Sequence, residues 1–447
     1  MAAQERHDTH QKALSLNLNA TVFGSFAEIG AGQEVARWFL RVGGASGTVA
    51  KTISAYDKEV SDDLYGAGTR YVSKPRLQAM LNEEWKQLLA QLGPSRGATT
   101  KFFAFVDTIS ARNYAGTNDS HGWVGLRFQR EPGGAPNNVI LHVNLRDSTN
   151  MHQQEAVGIL GVNLIFAVHH AAASLEEFLA SVFDDLSLQR LEIDCLELDG
   201  PAFAGWDRNE AHACLVAGNY AEAVAFADDD ELPPPSELLY KRALVLAPGR
   251  FDTVDQMHAD FVSDTLAQLP EDELKEGKGE LGLFCLSVAG ADAQDQRALV
   301  KSIVEHVKEL QKLGYGVIVF RARELYEMSA FVNRYTKSRV HFAIGLSVLV
   351  RVFEDRYNEL PGSLLEAIAR LFTQNVRVTV YPMTADAVEK RAQHADLAGW
   401  AWTETEGVVT ADNFHPSGPL NSLYQYLLES EFILPGKAAK RREVAQG

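Results

Sequence analysis

The stretch whose reading decides the fold is Leu244 to Asp260, LVLAPGRFDTVDQMHAD. Ala243 to Ala247 is an unbroken apolar run, the pattern of a strand buried on both faces. Pro248-Gly249-Arg250-Phe251-Asp252 interrupts it at once, and a helix-like segment carrying His258 follows. Glycine at the carboxyl end of a strand lets the backbone come close to a ligand. The next helix would offer a phosphate its free N–H groups and the positive end of its dipole. Strand, glycine turn and helix is how a doubly wound nucleotide-binding sheet begins.

The same alternation continues outward. Strands are expected at 281–287, 316–321 and 376–381, and helices at about 256–269, 292–313, 322–334 and 360–373. Such alternation implies a parallel sheet covered on both faces. In the first half, strands are expected at 16–26, 101–109, 123–129, 138–144 and 191–198. Helices are expected at 33–42, 74–92, 155–173 and 175–186. The fold class is therefore α/β: a C-terminal Rossmann-like parallel sheet with a mixed α/β or α+β N-terminal domain. The expected organisation is a disordered N-terminus at 1–15, an N-terminal domain at 16–190 and a bridging region at 191–235. A nucleotide-binding domain at 236–435 and a basic disordered tail at 436–447 complete it. Within the bridge, DDDELPPP at 228–235 has the acids and prolines of an exposed, extended linker.

Composition narrows the function. The 447 residues carry a formal net charge of −17, with 46% hydrophobic and 23% charged residues. That is ordinary for a globular protein with a large core. It argues against nucleic acid as a partner, because phosphate contacts need clustered Lys and Arg. The one dense basic cluster is the tail Lys437 to Arg442. Cys195, Cys214 and Cys285 have no CxxC spacing, which speaks against a disulfide framework or zinc ribbon. The first residues, MAAQERHDTHQKAL, lack the apolar core of a signal peptide. No apolar run approaches the ~18 residues of a membrane helix. The expectation is a cytoplasmic protein without a membrane partner. A homo-oligomer remains open.

A second glycine-bearing segment lies near the N-terminus, VFGSFAEIGAGQ at 22–33. Gly24, Gly30 and Gly32 free the backbone between a strand and a helix, and Ser25 adds a hydroxyl. Lys51 would neutralise a phosphate bound there. Glu28 and Asp57 are candidate metal ligands, giving a metal-dependent enzyme as one reading. The plain alternative is a tight turn whose carboxylates favour a helix start. His142, Asp147, His152 and Glu155 fall close together but without metalloprotease spacing. His121-Gly122-Trp123 is a possible stacking site or a piece of core. Neither a GxSxG elbow nor a GxxxxGK[ST] loop occurs.

Gly249 to His258 resembles the nucleotide-binding signature of adenylyltransferases acting on nicotinamide or nicotinate mononucleotide, Gly-Ser/Thr-Phe-Asp-Pro-Val-His-x-Gly-His. Gly249, Phe251, Asp252, Val254 and His258 match it. Asp255 stands where the first histidine belongs and Met257 where the second glycine belongs. A carboxylate at 255 would repel a triphosphate unless a metal lay between them. Residues 24–32 resemble the signature more faintly, with Gly30 and Gln33 in place of the histidines. Over most of its length the chain also resembles a poorly characterised bacterial family. Stretches such as FGSFAEIGAGQEVARWFL and SELLYKRALVLAPGRFDTV carry that resemblance. Its members bear the labels mononucleotide adenylyltransferase and TonB-dependent receptor.

The resemblance implies ATP and Mg²⁺ as cofactors and a mononucleotide as substrate. Gly249, Phe251 and Asp252 would bind the nucleotide, and His258 would stabilise charge during in-line transfer. The other reading is a non-catalytic assembly or sensor protein on degenerate nucleotide folds. The receptor label conflicts with physics, since an outer-membrane barrel needs many alternating strands.

Overall fold

A computed structural model describes residues 8–437 apart from 69, 171–172, 228–230, 271–276, 292–294 and 394–396. The chain divides into two units, 1–222 and 223–447. Parts of the expected linker at 228–235 and most of the basic tail lie outside the described residues.

The C-terminal unit holds a seven-stranded sheet. Its strands are β7 (Ala223–Phe226), β8 (Ala243–Gly249), β9 (Glu280–Ser287), β10 (Gly316–Phe320), β11 (Val340–Ile344), β12 (Val376–Val380) and β13 (Ile433–Pro435). They lie in the order β13-β12-β11-β8-β9-β10-β7. All neighbours are parallel except β7, which runs antiparallel along β10. Counted from β8 as the first strand, the parallel part reads 3-2-1-4-5-6, the doubly wound Rossmann order. The strand order reverses between β8 and β11. The deciding stretch therefore supplies the central strand.

Helices cover both faces. On one side α9 (Gln256–Leu266) packs against β8, β9 and β11, and α10 (Gln296–Gln311) packs against β10. On the other lie α11 (Leu325–Val332), α12 (Leu346–Val352) and α13 (Ser363–Leu371). There Phe331, Leu349 and Ile368 share a core with Leu244, Leu246, Ile318 and Phe342. Each central strand buries side chains to both sides, which is why its sequence is a continuous apolar run and not an alternation.

The N-terminal unit is built on a six-stranded sheet, order β2-β1-β3-β4-β5-β6. The strands are β1 (Val22–Gly30), β2 (Val49–Ile53), β3 (Lys101–Ile109), β4 (Ser120–Gln129), β5 (Pro136–Leu145) and β6 (Leu191–Asp199). β1 is parallel to β2 and β3, and the remaining pairs are antiparallel. One face carries α4 (Lys74–Arg96), whose Leu77, Met80 and Leu81 pack with Ala27, Val106 and Trp123. The other carries α2 (Val35–Val42) and α5 (Asn150–His170), where Val35 and Phe105 crowd around Gly161.

Three sequence expectations need correction. Thr9 to Asn17 form a helix, α1, inside the span expected as disorder and strand. Asp8 caps it, accepting the Gln11 N–H at 2.7 Å. Its inward face includes Lys12, whose Nζ is held by Asn163 at 2.9 Å and Asp184 at 2.8 Å. A buried lysine hides the apolar periodicity that would have marked the helix. The strand expected from Leu16 begins instead at Val22. The residues expected as a bridge are structural: 191–199 form edge strand β6, Arg208–Ala217 form α7, and β7 opens the second sheet.

Candidate functional site

In an open parallel sheet, ligands bind beyond the carboxyl ends of the strands, beside the point where strand order reverses. In the C-terminal unit that place is the turn after β8. Gly249 ends the strand, and a Cβ there would sit 3.1 Å from the Phe251 ring. Phe251 adopts φ 55, the left-handed region that a bulky side chain enters only when its surroundings hold it. What holds it is its ring, packed edge-on against Phe284 at 5.6 Å and His258 at 5.1 Å. Phe251 therefore turns down onto the α9 face as buried core.

Arg250, one residue earlier, lines a cleft of about 80 Å³ next to α11 and α12. Arg323, Arg351 and Arg356 line it too, together with Pro248, Gly249, Ser287 and Glu324. Leu325, Met328, Val348 and Val352 supply apolar wall. These residues come from the ends of β8 and β9, the loop after β10, α11, α12 and the loop after α12, so folding alone gathers them. Ser287 Oγ donates to the Ala322 carbonyl at 2.7 Å, tying the end of β9 to the loop after β10. Arg356 pairs with Glu324, and its Nε donates to the Arg351 carbonyl at 3.0 Å. Burial raises the Glu324 pKa, and Arg356, Arg351 and Arg323 pull it back. Arg250 and Arg351 are exposed and no described residue pairs with their guanidinium groups. Four guanidinium groups against one already paired carboxylate leave the cleft strongly cationic. Such forks match phosphate oxygens bidentately.

The expected phosphate-binding helix start is differently occupied. Asp255 is the N-cap of α9, accepting the Met257 N–H at 3.0 Å. His258 Nδ1 lies 3.0 Å from Asp255 Oδ1 and 3.3 Å from the Asp255 backbone nitrogen. His258 thus completes a capping box, in the role usually filled by Glu or Gln. Asp252 is exposed on the turn. Of the residues read from the sequence signature, Gly249 alone lines the cleft. Arg250, Arg323 and Arg356 are separate in sequence and carry no motif, and Arg351 ends the apolar run Ser347-Val348-Leu349-Val350-Arg351, which reads from sequence as core helix.

In the N-terminal unit the glycines serve close packing of strands. A Cβ on Gly24 would meet the Phe103 carbonyl at 2.3 Å, and one on Gly32 would meet Asp107 Oδ1 at 2.3 Å. Gly30 has φ +85, and a Cβ there would strike the Ile109 carbonyl at 1.8 Å. Ser25 is buried and its hydroxyl has no hydrogen-bond partner among the described residues. Glu28 accepts backbone N–H groups from Gln33 at 3.1 Å, Val35 at 2.9 Å and Ala36 at 3.1 Å. A carboxylate from the protein's own strand therefore fills the anion position at the start of α2. Burial raises the Glu28 pKa and these N–H groups oppose the rise. Asp107 faces Glu28 across the β1/β3 pair and is fully buried. Burial first, and the Glu28 charge second, push its pKa well up.

The other N-terminal candidates are dispersed. Lys51 bonds Glu84 at 2.8 Å and Gln87 at 2.9 Å, toward α4. Asp57 caps α3 (Lys58–Tyr65), accepting from Glu59 and Val60 N–H groups. Arg190 gathers Asp147 at 3.0 Å and Glu155 at 2.8 Å, while His142 pairs with Asp194. Among the described residues no group of three metal-ligating side chains converges. Nor is any helix among them long and apolar enough to cross a membrane.

No family model matches the chain, and no curated protein matches it. Among solved structures it is similar to the competence/damage inducible protein CihA from Agrobacterium tumefaciens, at 18% identity and TM-score 0.26. That match covers 37% of this chain and 98% of the other. A competence-damaged protein (CinA) superfamily member from Enterobacter cloacae matches at 13% identity and TM-score 0.25, covering 37% and 93%. A competence or damage-inducible protein from Enterobacter asburiae matches at 12% identity and TM-score 0.26, covering 36% and 98%. TM-scores this low carry no argument about what this chain does.

Proposed function

We propose that the C-terminal unit binds a nucleotide through its phosphate groups in the arginine cleft at the end of β8. One observation carries this reading: Arg250, Arg323, Arg351 and Arg356 converge at the edge of a Rossmann-ordered sheet where strand order reverses. Apolar Leu325, Met328 and Val348 beside them suit a base or sugar face. The donor set suits an anion. Mg²⁺ prefers one or two free carboxylates, and the cleft's single carboxylate, Glu324, is taken by Arg356.

Binding without transfer is the form of this reading that the geometry favours. Nucleotidyl transfer would ask His258 to reach the phosphates, and its imidazole is committed to the α9 cap. Thermal-shift titration with ATP, pyrophosphate and adenosine tests the proposal, because a ligand of the folded state raises apparent stability by mass action. ATP and pyrophosphate should raise Tm and adenosine should not. Equal shifts with adenosine, or none with any of the three, would refute a phosphate site.

A further inference from the structure

The N-terminal sheet holds a hydrogen-bonded chain of ionisable side chains, separate from the arginine cleft. Asp194 Oδ1 lies 2.6 Å from His142 Nδ1, and His142 Nε2 lies 3.0 Å from His121 Nδ1. Asp194 and His142 are 1% and 0% exposed. His121 is half-buried near the start of β4. The pairing of β5 with β6 shifts register beside His142, and Asp194 is the extra residue. A bulge of that kind re-aims a side chain. Trp123 packs edge-on against His142, ring centroids 5.0 Å apart. Asn144 Nδ2 donates to the second Asp194 oxygen at 2.8 Å.

The chain has a direction. A carboxylate at Asp194 only accepts, so His142 Nδ1 carries the proton and its Nε2 the lone pair. That lone pair accepts from His121 Nδ1–H. His121 Nε2 is then left unprotonated, and no described residue bonds it. The charged or titratable groups bearing on His121 are His142, Asp194 and Arg70. The loop bearing Arg70 is tied to this part of the sheet by Thr108 Oγ1, which donates to the Tyr71 carbonyl at 2.7 Å, while Thr108 pairs with Trp123 across β3 and β4. Burial, then His142, bring the His121 pKa down to about 4, with Arg70 acting the same way and Asp194 opposing. The ring is neutral at pH 7, with its lone pair available.

We propose that the N-terminal unit carries a second site, in which His121 Nε2 is a base toward a small anionic substrate held by Arg70, with His142 and Asp194 as positioning residues. In the step, a substrate O–H gives its proton to His121 Nε2 and keeps the bonding electrons. The Nδ1 proton of His121 passes to His142 Nε2. The positive charge comes to rest on His142 beside the Asp194 carboxylate. An aspartate behind a histidine fixes tautomer and stabilises imidazolium in the same way in hydrolase triads.

The test uses the full chain and two alkylating probes, anionic bromoacetate and neutral bromoacetamide. His121 Nε2 displaces bromide, which leaves with the carbon–bromine electron pair, and peptide mass spectrometry locates the adduct. Bromoacetate should modify His121 ahead of the other histidines and roughly tenfold faster than bromoacetamide, the size of one charge-assisted contact. Arg70→Gln, at an exposed loop position, should erase that preference. Asp194→Asn should slow both reagents, with circular dichroism reporting the fold. Long-range ¹H–¹⁵N NMR of the unmodified chain should show His121 as its Nδ1–H tautomer. An Nε2–H tautomer at His121, equal rates with the two reagents, or modification elsewhere while His121 stays intact would each overturn the proposal.

Discussion

Asp255 and His258 satisfy one another at the start of α9, with His258 Nδ1 3.0 Å from Asp255 Oδ1. The pair turns a segment with the outline of a phosphate-binding signature into a self-capped helix. The anion site proposed for this sheet edge rests instead on guanidinium groups on the opposite face of the turn.

Asp255→Ala should cost about 1 kcal/mol of stability, the usual value of an N-cap. It should leave ATP affinity unchanged, because Asp255 does not line the cleft. Urea denaturation and nucleotide titration of the same variant separate the two effects. A loss of binding beyond the loss of stability would place Asp255 or His258 on the ligand.

Asp107 makes stability depend on pH. In the unfolded chain its carboxyl ionises near pH 4, while burial and Glu28 hold the folded carboxyl protonated well above that. The unfolded state therefore releases this proton first, and each rise in pH above about 4 favours unfolding until the folded carboxyl also ionises. Asp107→Asn removes this cost. It should raise Tm at pH 7 and change it little below pH 4, as read by thermal melts across that window.

Gly24→Ala should destabilise the N-terminal unit by about 1–3 kcal/mol, the range for forced overpacking. The added methyl would lie 2.3 Å from the Phe103 carbonyl and force β1 away from β3. Chemical denaturation followed by Trp123, buried in the same sheet, measures it. Nucleotide affinity should be unchanged, since the proposed cleft is built wholly from the C-terminal unit.

Much of the fold was legible because the physics behind it is local. The apolar runs at β8, β9, β10 and β12 are what a two-sided parallel sheet demands, and glycine closes β8 and opens β10. Strand β11 and helix α12 were not anticipated as strand and helix in succession, since Val340 to Val352 is apolar almost throughout and shows no single period. The site was less legible. Arg250, Arg323, Arg351 and Arg356 span more than one hundred residues and meet only through the topology of the sheet. The same holds for His121, His142 and Asp194, which three antiparallel strands bring together. What sequence did offer was the location: the turn at Gly249 marks the end of the strand around which the arginines gather.

The measurement that bears most directly on the central claim is calorimetric titration of ATP into the wild-type protein and into Arg351→Glu at low and high salt. The account predicts binding to the wild type that weakens as salt rises, because exposed charges are screened. For Arg351→Glu it predicts at least a roughly tenfold loss of affinity, the worth of one hydrogen bond to a charged group. Unchanged affinity in Arg351→Glu, or wild-type binding insensitive to salt, would contradict it.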